Sequence, residues 1–556
     1  MRAMKDEMNR SMKELKLDKI QAPYYIEYSL SFVKSHVINA NLGALSESSS
    51  KDYAKLNVTV RVGDYSIDNS NFLDFSSFFF GSDDDEETFN NRYISLDLDY
   101  STLRRELWLA TDAAYKQAVE TYSKKLASMK NKVRKDTTPD FIKLGAEKLS
   151  DLSEMPEIQI KKYEDFVKNL SKKFADYPEI YSSRVVIDYN PETEIFINSE
   201  GREYVRNSAT CGLEIAAFTQ AKDGMPLTDF YSAYANNPNG LPNSDSVMKA
   251  IVNLAKHLTT LRNAPLLDEP YSGPVLFTNQ AAAEIFGQVF APQLIAQREQ
   301  MTEMGKQSAD KYAAFQNKIG GRVLPEFFNL SDEPSKTEYN GVKLYGAYKI
   351  DDEGLKAEDV QLVKDGYLKA LLSSRTPTKR VKSSNGHFRG QGAIISNLIL
   401  SADDKHSLDY AQLKDKMLKL CKDRELPYGI VIKKIMNSNV FSTVVYELSS
   451  GLLLPRFNKM LPLLEVYKVY PDGKEELLRG VDLNNMTAQS FKDVIFAGKE
   501  KNVLNFLMTA VAQSYSFGGG RYTSASICAP DLLFEDAEVK PNEDDLPKLP
   551  FTANPR

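Results

Sequence analysis

Asn236-Asn237-Pro238-Asn239-Gly240-Leu241-Pro242-Asn243 is the stretch on which the architecture turns. Two prolines without an N–H, a glycine and four asparagines in eight residues suit neither a helix interior nor a strand ladder, so the segment reads as a linker. Immediately after it, Val247, Ile251, Leu254, Leu258 and Leu261 recur at helical spacing, with Ser244 or Asp245 placed to cap the helix. Immediately before it, residues 185–189, 194–198, 202–218 and 227–234 read as strands punctuated by Asn190-Pro191, Glu200-Gly201 and Asp223-Gly224, an antiparallel meander.

Further outward the same mixture continues on both sides. Leu56, Val58, Val60 and Val62 alternate with polar residues, as in a half-buried strand. From Leu103, a stripe through Leu107, Ala110, Ala114, Ala118, Tyr122, Leu126, Met129 and Val133 marks a long helix, with Trp108 beside it as a packing residue. A second helix is expected over 161–174. Beyond the linker, a short strand at 275–277 feeds a helix at 281–290, and a charged helical stretch covers 299–318. Asp365-Gly366 closes a hairpin between 360–363 and 367–372. A helix at 408–422, a strand at 429–436, a hairpin about Pro471-Asp472-Gly473, a helix at 488–497 and a closing strand near 532–539 complete the pattern. This predicts an α+β protein of two domains, residues 1–240 and 241–556, with mixed and antiparallel sheets packed against long helices.

The 556 residues carry a formal charge of −6, with 42% hydrophobic and 26% charged residues, an ordinary globular balance. That charge argues against direct nucleic-acid binding by phosphate neutralisation, and no apolar run reaches the length needed to span a bilayer. The charged N-terminal segment lacks the apolar core of a signal peptide, which leaves both a cytoplasmic location and a periplasmic one after trimming of an export signal open. Cys211, Cys421 and Cys528 are odd in number and far apart, so no disulfide framework is implied.

Sharp catalytic signals are few. Of the four histidines, His36, His257, His387 and His406, none pairs with another at helical spacing for zinc. There is no CxxC, GxSxG or phosphate-loop motif, and Gly518-Gly519-Gly520 reads as a flexible turn. The acidic run Asp83–Glu87 lacks the ligand spacing of an EF-hand and reads as a solvated loop. His387, in the polar turn Ser383–Gly390, draws most attention, although packing is the favoured role; Asp351-Asp352-Glu353-Gly354 could present carboxylates at a strand end or simply form a turn.

Several segments in order nevertheless resemble the TldD/PmbA proteins, a family historically labelled modulators of DNA gyrase and linked to metallopeptidase activity. They are Gly273-Pro274-Val275-Leu276-Phe277 leading into a helix, Asn329-Leu330-Ser331-Asp332-Glu333-Pro334, Asp352-Glu353-Gly354 before the 362–368 hairpin, Ser384-Asn385-Gly386 to Arg389, Ser396-Asn397, and Ala529–Phe534. The N-terminal meander, including Ile197–Gly201, fits the family's first domain, and the likeness is to longer bacterial members with a degenerate HExxxH motif.

Active members carry HExxxH on the helix after the first strand of the C-terminal domain, plus a cysteine near the C-terminus. Here the corresponding residues are Ala283, Glu284 and Gln288, with Ser516 at the cysteine position. The resemblance therefore implies a metal-free, non-catalytic subunit with no expected cofactor, where metal-bearing relatives hold zinc. It would bind or position extended peptide within a homodimer or a heterodimer with an HExxxH-bearing sister. By the same resemblance, Asp352, Glu353, Asn385, Arg389 and Asn397 are candidate substrate-binding residues; Glu284 and His387, the latter singled out by its polar turn, are the candidate catalytic ones. Two alternatives stay open: a hydrolase rebuilt around His387, Glu284 and Asp352, and a purely structural scaffold.

Overall fold

The computed structural model describes the chain except for residues 17–20, 74–91, 131–136, 299–300, 303–304, 307–313, 391, 441–443, 446–461, 510–521, 544–545, 553–554 and 556. The acidic run at 83–87, Val133, the glycines at 518–520 and Ser516 lie outside the described residues.

The first half opens with helix α1 (Arg2–Glu14), followed by the long hairpin β1 (Pro23–Asn41) and β2 (Ala44–Val62), and the short β3 (Arg92–Ile94). Leu56, Val58, Val60 and Val62 are buried on one face of β2, as their alternation predicts. Helix α2 (Tyr100–Met129) is capped by the Asp99 side chain on Thr102 N–H and buries Leu103, Leu107, Ala110 and Ala118 against β2. Trp108 is 48% exposed and does not pack as expected, because it falls off that stripe.

Next come β4 (Lys148–Asp151), α3 (Ile160–Lys172), β5 (Ser182–Asn198), β6 (Glu203–Gln220) and β7 (Pro226–Ala235). The seven-stranded sheet runs β3-β2-β1-β5-β6-β4, with β7 also pairing with β6. Asn190-Pro191 does not break the meander: Pro191 sits within β5 opposite Ala209, where pairing between β5 and β1 is interrupted and its missing N–H costs no bond on that side. Past the linker, α4 (Ser244–Leu261) is capped by Asn243 and buries Val247, Ile251, Leu254 and Leu258 against Val185, Ile187, Leu213 and Ile215 of the first sheet.

The second half is built on one twelve-stranded sheet. Its main path involves β8 (Tyr271–Phe277), β9 (Phe328–Asp332), β10 (Val360–Lys364), β11 (Tyr367–Leu368), β12 (Asn397–Ala402), β13 (Gly429–Ile435), β14 (Leu463–Val469) and β15 (Glu475–Leu478). It also contains β16 (Val494–Thr509) and β17 (Tyr522–Pro541), and the order is β11-β10-β9-β12-β17-β8-β13-β14-β15. Asp365 and Gly366 both take positive φ, as the tight hairpin between β10 and β11 requires. Helix α5 (Gln280–Ile285) continues as a π turn over Phe286–Phe290, and α6 (Tyr410–Asp423) begins with a capping box between Asp409 and Gln412.

Two helix expectations fail. At 488–497 there is one 3-10 turn (Ser490–Asp493) and then β16, because Val494 and Phe496 join a ladder with Phe534 and Leu533. Within 299–318, the described residues include the pair Met301–Thr302 and Gly305–Lys306, not a helix.

Candidate functional site

The helix that the resemblance matches to the family's metal-ligand helix is α5 with its π turn. It is clamped between β13, β16 and β17, and its core is apolar: Ala281, Ala282, Ala283, Ile285 and Phe286 have no exposed surface. Glu284 is the buried exception, 4% exposed. Its Oε2 accepts a hydrogen bond from Gln280 Nε2 and its Oε1 one from Gln288 Nε2, each at 2.9 Å, while Asn437 Nδ2 lies 3.3 Å from Oε2. The two glutamines are anchored in turn: Gln280 donates to Ile435 O and accepts from Ile435 N–H, and Gln288 donates to Met436 O. Burial pushes the Glu284 carboxyl up to about 7 despite three amide donors that favour its ionised form.

The donor set tests whether zinc fits. Ala283 offers only a buried methyl, and Gln288 could offer only its amide oxygen, a poor zinc ligand beside imidazole, while its nitrogen donates to Glu284 and Met436. Glu284 is then the single strong donor among the described residues of this helix, and these residues do not make a tetrahedral N/S site. The described cysteines do not supply one either: Cys211, Cys421 and Cys528 are buried, and burial raises all three thiols, Cys528 to about 12.

Asn437 extends this network toward the first half of the chain. Its Oδ1 accepts from Asn439 N–H at 3.0 Å, and the Asn439 side chain bonds both Glu214 and Tyr234, whose hydroxyl donates to Glu214 at 2.6 Å. A continuous buried line thus runs from α5 to β6 and β7. Sequence reading missed Gln280 and Asn437. The glutamines were findable, since 280, 284 and 288 stand at i, i+4 and i+8 on one helical face; Asn437 depends on the tertiary fold.

His387 lies elsewhere, with no exposed surface. Its Nε2 is 3.2 Å from Asp332 Oδ1 and its Nδ1 3.0 Å from both Asn385 oxygens. Ser396 joins them, its hydroxyl donating to Asp332 Oδ1 and its N–H to Oδ2. Serine, histidine and aspartate therefore meet, but with aspartate in the middle. A catalytic triad needs histidine between the other two, so that it can take the serine proton.

The remaining candidates surround this cluster. Asp352 accepts from Arg206 of β6 at 2.7 Å and from Gly390 N–H at 2.8 Å. Glu353 accepts from Arg375 N–H, and burial together with the neighbouring Asp351 carboxylate raises its carboxyl; burial also raises Asp351. Asn385 bonds Ser373 N–H and Leu371 O. Arg389 lies 4.2 Å from the centre of the Tyr348 ring and donates to Ser524 O and Ile395 O; burial holds its guanidinium below the usual range. Asn397 donates to Glu333 O and Lys336 O. Asp352, Glu353, Asn385 and Arg389 thus gather about the His387 loop, whereas the hydrogen-bond partners of Glu284 belong to a separate group.

Comparison with known proteins places this geometry. Residues 270–452 match the PmbA/TldA metallopeptidase C-terminal domain. A metalloprotease of Archaeoglobus fulgidus is 30% identical over 108 residues, which span 19% of this chain and 23% of that protein. Three solved structures share the fold. A Thermotoga maritima protein described as a candidate modulator of a DNA gyrase aligns over 96% of this chain and all of its own, with TM-score 0.58 at 14% identity. TldE from Thermococcus kodakarensis aligns over 97% of this chain and all of its own, with TM-score 0.55 at 12% identity. A candidate modulator of DNA gyrase from Bacteroides thetaiotaomicron covers 97% of this chain and 98% of its own, with TM-score 0.56 at 12% identity.

The class is thus a mixed α/β protein with the TldD/TldE fold. The resemblance to the TldD/PmbA family is borne out over residues 270–452, which match the C-terminal domain of that family.

Proposed function

We propose that this protein is a TldD/PmbA-like subunit without a zinc centre of its own, which binds or positions extended peptide in a dimeric assembly whose chemistry comes from an HExxxH-bearing partner. The observation that supports this reading is the amide cage of Gln280, Gln288 and Asn437 around Glu284, on the helix that the resemblance aligns with the HExxxH segment. A general base must reach a substrate proton. Glu284 is 4% exposed with both oxygens engaged, which suits a structural element. Extended peptide can be recognised through main-chain hydrogen bonds at a sheet edge, largely independently of its sequence.

A hydrolase rebuilt around His387, Glu284 and Asp352 is less well supported, because His387 is enclosed and its histidine–aspartate order is wrong for activating Ser396. The deciding experiment is elemental mass spectrometry on protein purified without chelator or added metal, followed by a peptidase assay alone and with an HExxxH-bearing relative. Near-zero zinc, no activity alone and activity changed by mixing are expected. About one zinc per chain, or peptidase activity by the isolated chain, overturns the reading.

A further inference from the structure

Every residue of β2 from Ala44 to Asp52 is exposed, and among the described residues no strand pairs with the outer side of this stretch; β3 pairs only with Ala54, Lys55 and Leu56. The stretch is therefore an open sheet edge. Which main-chain groups it offers follows from β1. Ile26 donates its N–H to Ser199 Oγ and accepts from Ser199 N–H, so its main chain turns toward β5. Alternation then turns the odd-numbered residues of β1 toward β2, in a register without a shift from Tyr25 to Asn39. Ser35 and Val37 stand opposite Lys51 and Ser49, which leaves Ser48, Ser50 and Asp52 with N–H and C=O groups pointing outward.

The side chains select what can pair there. Glu47, Ser49, Lys51 and Tyr53 share one face of β2. Glu47 and Lys51 are about 13 Å apart along the strand, too far to pair within one chain. Glu47 accepts from Ser49 at 2.8 Å, Lys51 lies 5.7 Å from the centre of the Tyr93 ring, and neither has an ion-pair partner among the described residues. Charges on an edge ordinarily keep other edges away; here opposite signs at equal distances from Ser49 make the edge complementary to itself. A two-fold axis at Ser49 sets Glu47 against the partner's Lys51, and lets Ser48 and the partner's Ser50 exchange main-chain hydrogen bonds. The free length fits the same axis, because the partner's turn at Leu42-Gly43 then ends where β3 begins. An axis at Ser50 drives that turn into β3, and one at Ser48 leaves the charges unmatched. Leu42 is 57% and Tyr93 59% exposed, and both lie at this junction. We propose that β2 pairs antiparallel with β2 of a second copy of this chain about a two-fold axis at Ser49, joining the two first-half sheets into one. The contact does not rest on the zinc-free reading of Glu284: a chain that held zinc would present the same edge, and failure of the pairing leaves that reading standing.

Ser49→Cys in the full chain is the direct probe, because Cys211, Cys421 and Cys528 are buried. At about 100 μM chain, mild oxidation should give a covalent dimer, since residues opposed at a non-hydrogen-bonded position lie within disulfide reach. Glu47→Cys, whose opposite number is Lys51, should cross-link far less. In sedimentation equilibrium, Lys51→Glu and Glu47→Lys should each weaken self-association roughly tenfold, and the two together should restore it. Ser50→Pro removes an outward N–H without touching the ladder to β1 and should leave the chain monomeric. A monomeric wild type with no Ser49→Cys cross-link overturns the proposal, as does a dimer indifferent to the charge exchanges. A monomer that instead takes an extended peptide at this edge, with binding lost in Ser50→Pro, overturns it as well.

Discussion

Arg375 Nη2, on a side chain with no exposed surface, lies 2.6 Å from Glu200 Oε2 in the turn between β5 and β6. The same guanidinium donates to Ile142 O at 2.7 Å and lies 4.0 Å from the centre of the Phe141 ring. Arg202 and Arg206 reach the other way, to Gly354 O and to Ile350 O and Asp352. Three arginines thus tie the two sheets together. Arg375→Met would leave Glu200 buried without its cation, holding only the Tyr65 hydroxyl and Leu144 N–H on Oε1, and should cost about 3–5 kcal/mol. The midpoint of the first urea transition should fall accordingly; an unchanged midpoint would show the clamp to be idle.

Glu284 should make stability fall with rising pH. Its folded-state value of about 7 lies above the ordinary 4.5, so the folded chain holds the proton more tightly. The contribution is complete below pH 4.5, declines as pH rises through 7, and amounts to about 3 kcal/mol. Glu284→Gln cannot titrate. The difference in unfolding free energy between wild type and this variant should therefore shrink by that order across the window, and a constant difference refutes the assignment.

At the hairpin, Gly366 has φ +77°, and a Cβ there would sit 2.5 Å from Leu324 O. Gly366→Ala combines backbone strain with a clash against main chain that cannot swing away. A loss of about 1–3 kcal/mol is expected, measurable as a lower midpoint in thermal denaturation.

Trp108→Ala, by contrast, should change stability by no more than about 0.5 kcal/mol, since the side chain is half exposed. A larger loss in the isolated chain would mean that this face is covered.

Period and punctuation made much of this fold legible. The 56–62 alternation, the α2 stripe and Asp365-Gly366 all depend on neighbours close in sequence, and each formed where expected. Errors arose where distant strands overruled local preference: Pro191 was tolerated because its neighbour's ladder lapses there, and 494–497 became a strand because β17 lay alongside. That residues 283–288 hold a glutamate but no histidine was plain from the sequence alone. The cage around Glu284 was only half visible, because Asn437 arrives from 153 residues away.

Strand β17 also dictates an order of events during synthesis. It is the shared neighbour of β8, β12 and β16, pairing with residues as early as Tyr271. Until residues 522–541 leave the ribosome, β8 and β12 face each other across an empty lane, with their apolar faces incompletely covered. The first sheet has all its strands by residue 235 and can condense while translation continues. The second must wait, holding the strands from β8 to β16 in suspension until its keystone arrives, and a nascent chain stalled before 522 is a natural client for a holding chaperone.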